Sequence, residues 1–411
     1  MVKPLRSAAA LILAVIMTLT MTAGNVFAYT PEGSRQLKLN DCKGASVLET
    51  GSNTFLYGKN ADKRFYPAST TKVLTAIVVL EHVKDLNKKT KVSYNAVEGI
   101  DPSSSHIALE IGEKIRLRDL MYGLLLCSGN DCAVALAEDV AGSVKKFAKM
   151  MNKTAAKIGA DNSHFTNPHG LFNKKHYTTP NDLAKIMAYC VKNKRFVKIF
   201  RTIKYIIPKT NKSKKRELWN NHRLIKYKYR YYKGVVGGKT GYIDESGFNL
   251  ITFAHRGNMN LVTVCMRATG QKEIDLTTTS LFNRYFKKFR VDSIEKDDIS
   301  DKIKLEDKTV TAHPEKDIKI VIPKKADTDD VKVITKFSKI KLPVKKGAAV
   351  GTVTCTYKGR PAGSAILVSD DDYETKAQTM TQYIGIAAGA ALLIIVIIVV
   401  AVRSRKNKKA E

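Results

Sequence analysis

The feature that most constrains this chain is the run Tyr66-Pro67-Ala68-Ser69-Thr70-Thr71-Lys72 leading directly into Val73-Leu74-Thr75-Ala76-Ile77-Val78-Val79-Leu80. After Lys72 only Thr75 is polar before Glu81, so as a helix this segment has no face for water and belongs inside a core. A buried helix is a rigid platform. Its first turn places a hydroxyl at Ser69 and an amine at Lys72, three residues apart and on one face. The positive helix end and the apolar surroundings both disfavour an ammonium, so Lys72 is expected to be partly neutral and able to take the Ser69 proton. That combination is an activated nucleophile. An S-x-x-K pattern on its own is also met by a serine that caps a core helix beside an incidental lysine, so other segments must decide.

Both ends of the chain speak to location. Residues 1–28 carry Lys3 and Arg6, then an apolar stretch, then Val26-Phe27-Ala28, the pattern of a secretory signal peptide. Residues 384–402 hold no charge and are long enough to cross a bilayer. Arg403, Arg405, Lys406, Lys408 and Lys409 follow at once in a basic tail, 403–411, of the kind that stays cytoplasmic. The expectation is an exported body held in the cell membrane by one C-terminal transmembrane helix, with a polar stalk over 370–383.

The formal net charge is +32, most of it on the exported body. A body this basic suits anionic lipid headgroups or anionic wall polymers, and the compartment excludes nucleic acid. Its densest block, residues 192–233, carries sixteen Lys/Arg against Glu217 alone and is interleaved with Trp219 and several tyrosines. That block is either a wall- or membrane-facing surface or a solvated basic loop. The six cysteines allow 15 pairings; their scattered positions favour small buried thiols and oppose a zinc site. Asp161, His164, His169 and His176 also match no zinc spacing, so neither metal nor cofactor is expected.

Residues 29–290 mix helical periods with short apolar strands. From 291 to 369 the chain turns to alternating segments such as 318–322, 331–335, 340–342 and 350–354, the pattern of a small all-β domain. Two further motifs lie in the first region. Apolar residues at 117, 120, 121, 124 and 125 form a helical period that Cys127-Ser128-Gly129-Asn130 ends in a tight turn, after which helical spacing resumes. Gly237-Gly238-Lys239-Thr240-Gly241-Tyr242 precedes two apolar strands joined at Gly257-Asn258. Thr240 and Gly241 leave room for a ligand along the strand edge, and Lys239 adds charge.

The order S-x-x-K, S-x-N, K-T-G resembles the serine acyl-transferases that include penicillin-binding proteins and class A β-lactamases. With Ala135-Leu136-Ala137-Glu138 and Asn167-Pro168-His169-Gly170-Leu171 added, residues 40–290 resemble the low-molecular-mass D-alanyl-D-alanine carboxypeptidases. Leu342-Pro343-Val344-Lys345-Lys346-Gly347 and Val350-Gly351 resemble that family's C-terminal module. The resemblance implies an α+β fold, a β-lactamase/transpeptidase-like catalytic domain with a helical subdomain against an antiparallel sheet. It implies Ser69 as nucleophile, Lys72 as general base and Ser128 in the proton relay. Asn130, Lys239, Thr240, Gly241 and Tyr242 would bind a peptidoglycan stem peptide ending in D-Ala-D-Ala, and β-lactam antibiotics would inhibit covalently. Two departures stand out. An arginine that often grips the terminal carboxylate is replaced, on gapless placement, by Ile274, and the anchor is an apolar span instead of an amphipathic helix. The competing readings are a β-lactamase or β-lactam sensor, and a non-catalytic wall-binding protein. No E-x-x-L-N pattern lies between Asn130 and Lys239 to serve β-lactamase deacylation.

Overall fold

The computed structural model describes residues 42–407 apart from 229 and 307; the signal peptide and the last four residues of the basic tail lie outside the described residues. The contacts divide the chain into two compact units. The first comprises the described residues up to Ser293 together with Lys319–Lys332 and Cys355–Ser364; the second holds Ile294–Ile318, Val333–Thr354 and the chain from Ala365.

In chain order the main elements of the first unit are β1 (Cys42–Glu49), β2 (Thr54–Lys59), α1 (Lys72–His82), α2 (Leu117–Leu126), α3 (Asn130–Ala141), α4 (Val144–Ile158), α5 (Pro180–Cys190) and α6 (Lys194–Phe200). Then come β3 (Val235–Ile243), β4 (Gly247–Arg256), β5 (Met259–Ala268) and α7 (Gln271–Lys288). The strands form one antiparallel sheet in the order β2-β1-β5-β4-β3. On β5, Val262, Val264 and Met266 enter the helical core, while Leu261, Cys265 and Ala268 enter a second core under α7. Both faces of the sheet are therefore covered, which is why the strand reads as continuously apolar instead of alternating.

Helix α1 runs through the first core, and all of its residues from Lys72 to Leu80 are buried. Its six large aliphatic side chains represent on the order of 10 kcal/mol of gross burial free energy, opposed by the conformational entropy of ordering the segment. The neighbouring helices end by local chemistry. Ser143 caps α4 through Lys146 N, Gly142 and Gly159 close α3 and α4 in left-handed conformations, and Thr179 caps α5 ahead of Pro180. The six cysteines are free thiols, five of them buried and Cys127 half-buried.

Beyond α7 lie β6 (Phe289–Ile294), β7 (Asp301–Leu305), β8 (Lys308–Pro314), β9 (Ile318–Pro323), β10 (Val331–Phe337), β11 (Ala349–Tyr357) and β12 (Arg360–Ser369). Five of them form a sheet ordered β7-β8-β12-β11-β10. Residues 340–342, expected as a strand, are not one. They run into Pro343 through a cis bond, and proline has no N–H to continue a ladder. Helix α8 (Lys376–Asn407) is continuous, so residues 376–383 of the expected stalk are already helical.

Candidate active site

Ser69 lies on a 3-10 turn, Ala68–Thr71, that immediately precedes α1, so the hydroxyl is presented from the entry to the helix and not from its first α-turn. The turn is sharp: Ala68 has φ 47° and Thr70 Oγ1 donates to Pro67 O at 2.7 Å. A loop from the other side holds it in place. Gly170, at φ 93°, packs so closely that a Cβ there would stand 1.9 Å from Ala68 O.

Lys72 is the first residue of α1 and has no exposed surface. Its Nζ lies 2.9 Å from Ser69 Oγ, 2.7 Å from Asn130 Oδ1 and 2.7 Å from His169 O. None of the three is a carboxylate. Burial first, and the nearby Lys239 charge second, push the amine well below its ordinary pKa. A neutral amine donates two hydrogens, which Asn130 Oδ1 and His169 O accept, and its lone pair is left facing the Ser69 hydroxyl. The surroundings of Lys72 therefore aim its lone pair at one oxygen.

Asn130 opens α3 after the Cys127-Ser128-Gly129 turn, where Ser128 adopts φ 64°. Its amide orientation is fixed from both ends, because Nδ2 donates to Ser104 Oγ at 2.9 Å while Oδ1 accepts from Lys72. Its backbone N–H donates to Ser105 O at 2.7 Å. Asp131 Oδ2 accepts from Ile107 N and Leu109 N at 2.9 and 3.2 Å, so the 101–111 loop is bolted to the Ser128–Asn130 turn. Ser128 is 4 % exposed and its Oγ has no hydrogen-bond partner among the described residues. A groove of about 550 Å³ opens beside this turn, lined by His106, Ile107, Glu110, Cys127 and Leu218.

On β3, Lys239 is buried and its Nζ donates to Thr240 O at 2.8 Å. Burial lowers its pKa to about 7. Gly238 packs on His222, and a Cβ there would meet the ring at 1.9 Å. Gly241 packs on the Ser69 turn: a Cβ there would stand 2.9 Å from Ser69 N and 3.0 Å from Thr70 N. Thr240 is half-buried, and Tyr242 is 53 % exposed at the rim with its ring 4.5 Å from that of Phe248. Asn249 of β4 ties the strand to the Ser69 segment, donating to Tyr66 O at 3.0 Å and accepting from Arg267 N at 2.8 Å.

The histidines near residue 170 serve the loop. His176 Nδ1 accepts from Thr166 N, so the opposite nitrogen carries the hydrogen that it donates to Thr71 Oγ1 at 2.9 Å. His169 Nδ1 accepts from Leu171 N at 3.1 Å. Burial lowers both to about 3, leaving them neutral. Ile274, at the place of the often-present arginine, is fully buried in the core under α7 and offers nothing to the cleft.

Comparison with known proteins matches residues 34–270 to the D-alanyl-D-alanine carboxypeptidase family and residues 291–375 to the C-terminal domain of penicillin-binding protein 5. The chain belongs to the D-alanyl-D-alanine carboxypeptidase family. The D-alanyl-D-alanine carboxypeptidase DacF of Bacillus subtilis is 31% identical over 367 residues, covering 87% of this chain and 92% of that protein. A carboxypeptidase of Streptomyces strain K15 is 32% identical over 296 residues, 69% of this chain and 99% of its own length. Penicillin-binding protein 5 of Haemophilus influenzae superposes with a TM-score of 0.69 at 27% identity, over 85% of this chain and all of that one. The enzyme is thus a serine hydrolase with the transpeptidase-like catalytic fold followed by a β domain.

Sequence reading gave no role to three contributors: the His169 carbonyl, the Ser104-Ser105 segment and Asp131. The first is a backbone atom and leaves no mark in residue identity. Asp131 stood beside the Ser-Gly-Asn triplet, and its position in the first turn of α3 was the available signal.

Proposed function

We propose that the enzyme removes the terminal D-alanine from peptidoglycan stem pentapeptides through an acyl-enzyme on Ser69, and that β-lactams acylate the same oxygen. The observation that carries this reading is the Lys72 amine held between Ser69 Oγ, Asn130 Oδ1 and His169 O, none of them a carboxylate. Ser69 Oγ attacks the carbonyl of the penultimate D-alanine as Lys72 takes its proton. The backbone N–H groups of Ser69 and Tyr242 receive the oxyanion, each contributing a few kcal/mol, about 2–4 by analogy with other acyl-transfer sites. Ser128, whose oxygen lacks a partner, passes the proton from Lys72 to the departing D-alanine amine. Asn130 aligns the peptide, Lys239 and Thr240 hold the terminal carboxylate, and Gly241 lets the substrate lie against β3. Water then releases the acyl group.

The catalytic region acts outside the cell, tethered by α8, whose most apolar 18-residue window within Lys376–Val399 has mean hydropathy 2.5 and no burial against the rest of the protein. Arg403 and Arg405 directly after the span favour a cytoplasmic C-terminus. The decisive test is release of D-alanine from a soluble pentapeptide. Ser69→Ala is expected to abolish it with an unchanged melting temperature, and release at the original rate would remove Ser69 from the mechanism.

A further inference from the structure

The basic block at 192–233 is not spent uniformly. Lys204 pairs with Glu217 at 2.8 Å, Arg216 with Glu113 at 2.6 Å and Arg223 with Asp275 at 3.1 Å. Arg195 turns inward to donate to Val83 O at 2.9 Å and to Leu80 O at the end of α1. Lys194, Lys198 and Arg201 are different. They are exposed, they recur at helical spacing along α6 and its end, and none has an ion-pair partner among the described residues.

These three cations line a groove of about 550 Å³ whose other walls are Val191, Val197 and Thr202. The valines are half-buried, so the groove is cationic at its lips and apolar in its floor. By helical rise the three charges span about 10 Å along one line. Like charges held this close repel one another, and a linear anion relieves that repulsion while its uncharged backbone covers the valines.

We propose that this groove on α6 binds a linear polyanion of the wall, independently of the active-site chemistry. A chain fits a recess in which the cations protrude and the apolar side chains are sunken. A flat anionic bilayer meets only the protruding cations, whereas a chain can also enter the recess and cover the sunken valines. The groove also lies near β3. Phe200, the last residue of α6, packs on Gly237, where a Cβ would stand 2.4 Å from its ring, two residues before Lys239. A polymer in the groove therefore holds the enzyme on its substrate layer with β3 close by.

The test uses the full chain in detergent micelles, with long-chain inorganic polyphosphate as the probe and phosphatidylglycerol vesicles as a second arm. The triple change Lys194→Gln, Lys198→Gln, Arg201→Gln removes three charges from the groove. Lys145→Gln, Lys149→Gln, Lys153→Gln removes three exposed lysines at similar spacing from α4, outside the groove. The groove variant is expected to bind polyphosphate about tenfold or more weakly, with a shallower dependence on salt, and the α4 variant within about twofold of the parent. D-alanine release from a soluble pentapeptide stays at the parental rate in both, which reports intact folding and separates this test from that of the nucleophile. Equal weakening in the two variants would reduce the effect to bulk charge and overturn the proposal. So would a loss confined to vesicle binding, which would make the groove a membrane contact. If the groove triple variant lowers pentapeptide release, Lys198→Gln alone is read in the same way, with about threefold weaker polyphosphate binding expected and no change overturning the proposal.

Discussion

Two buried lysines of one site are asked for opposite charge states. In the proposed mechanism Lys72 is neutral to accept a proton, and Lys239 is charged to hold a carboxylate. Burial depresses both, and the Lys239 charge depresses Lys72 further. The sign of each limb follows. Below the pKa of Lys72 the base is occupied and kcat falls. Above about pH 7 Lys239 loses its charge in the free enzyme, so KM for a carboxylate-ended pentapeptide rises, while a C-terminally amidated analogue shows no such rise. Steady-state kinetics between pH 5 and pH 9, round values on either side of the usual neutral optimum, check both limbs. Lys239→Met should remove carboxylate binding and raise stability by about 1–3 kcal/mol, since a buried cation without a counter-charge is replaced by an apolar chain; a thermal melt measures this. At this scale the sequence was informative where side chains carry the signal. The spacing of three brought Ser69 and Lys72 into contact, although through a 3-10 turn. The carbonyl of His169, which completes the Lys72 environment, depends on how a distant loop folds back, and local spacing contains no trace of that.

Among elements, the loops that press on the site matter as much as the helices that carry it. Gly170 allows the 161–178 loop to approach Ala68, and Thr75 Oγ1 donates to Pro168 O at 2.6 Å from within α1. Gly170→Ala forces the Cβ into a backbone carbonyl and adds left-handed strain, so it should cost about 2–4 kcal/mol and slow acylation by moving His169 O away from Lys72. Urea unfolding and single-turnover kinetics measure the two effects. Asp131→Ala strands the N–H groups of Ile107 and Leu109 in the interior, a loss of about 2–4 kcal/mol. It should also lower kcat, because the loop that sets Asn130 through Ser104 is released. The helices α1 and α2 and the strands β4 and β5 were legible because their apolar runs are long and bounded by turn residues. Residues 340–342 looked like a strand from composition alone, and Pro343 decides otherwise.

For the whole molecule, the proposed tethering is separable from catalysis. Deleting residues 376–411 should move the enzyme from the membrane to the soluble fraction while D-alanine release from a soluble pentapeptide stays within about twofold, since the residues around Ser69 all belong to the first unit. Fractionation and an amino-acid assay read this out. The apolar run and its basic stop were plain in the sequence, whereas the beginning of α8 at Lys376 was not, because the polar residues before the span are also good helix formers. The net charge of +32 was equally plain, but which cations remain uncompensated emerged only once Glu113, Glu217 and Asp275 were seen to neutralise theirs.

The central claim is that Lys72 makes Ser69 Oγ the nucleophile, and mass spectrometry of the protein after penicillin treatment and proteolysis tests it most directly. The account predicts one adduct of the antibiotic's full mass on the peptide containing Ser69, absent from Ser69→Ala and formed far more slowly in Lys72→Ala. An adduct on any other residue, or undiminished labelling of Ser69→Ala, would contradict it.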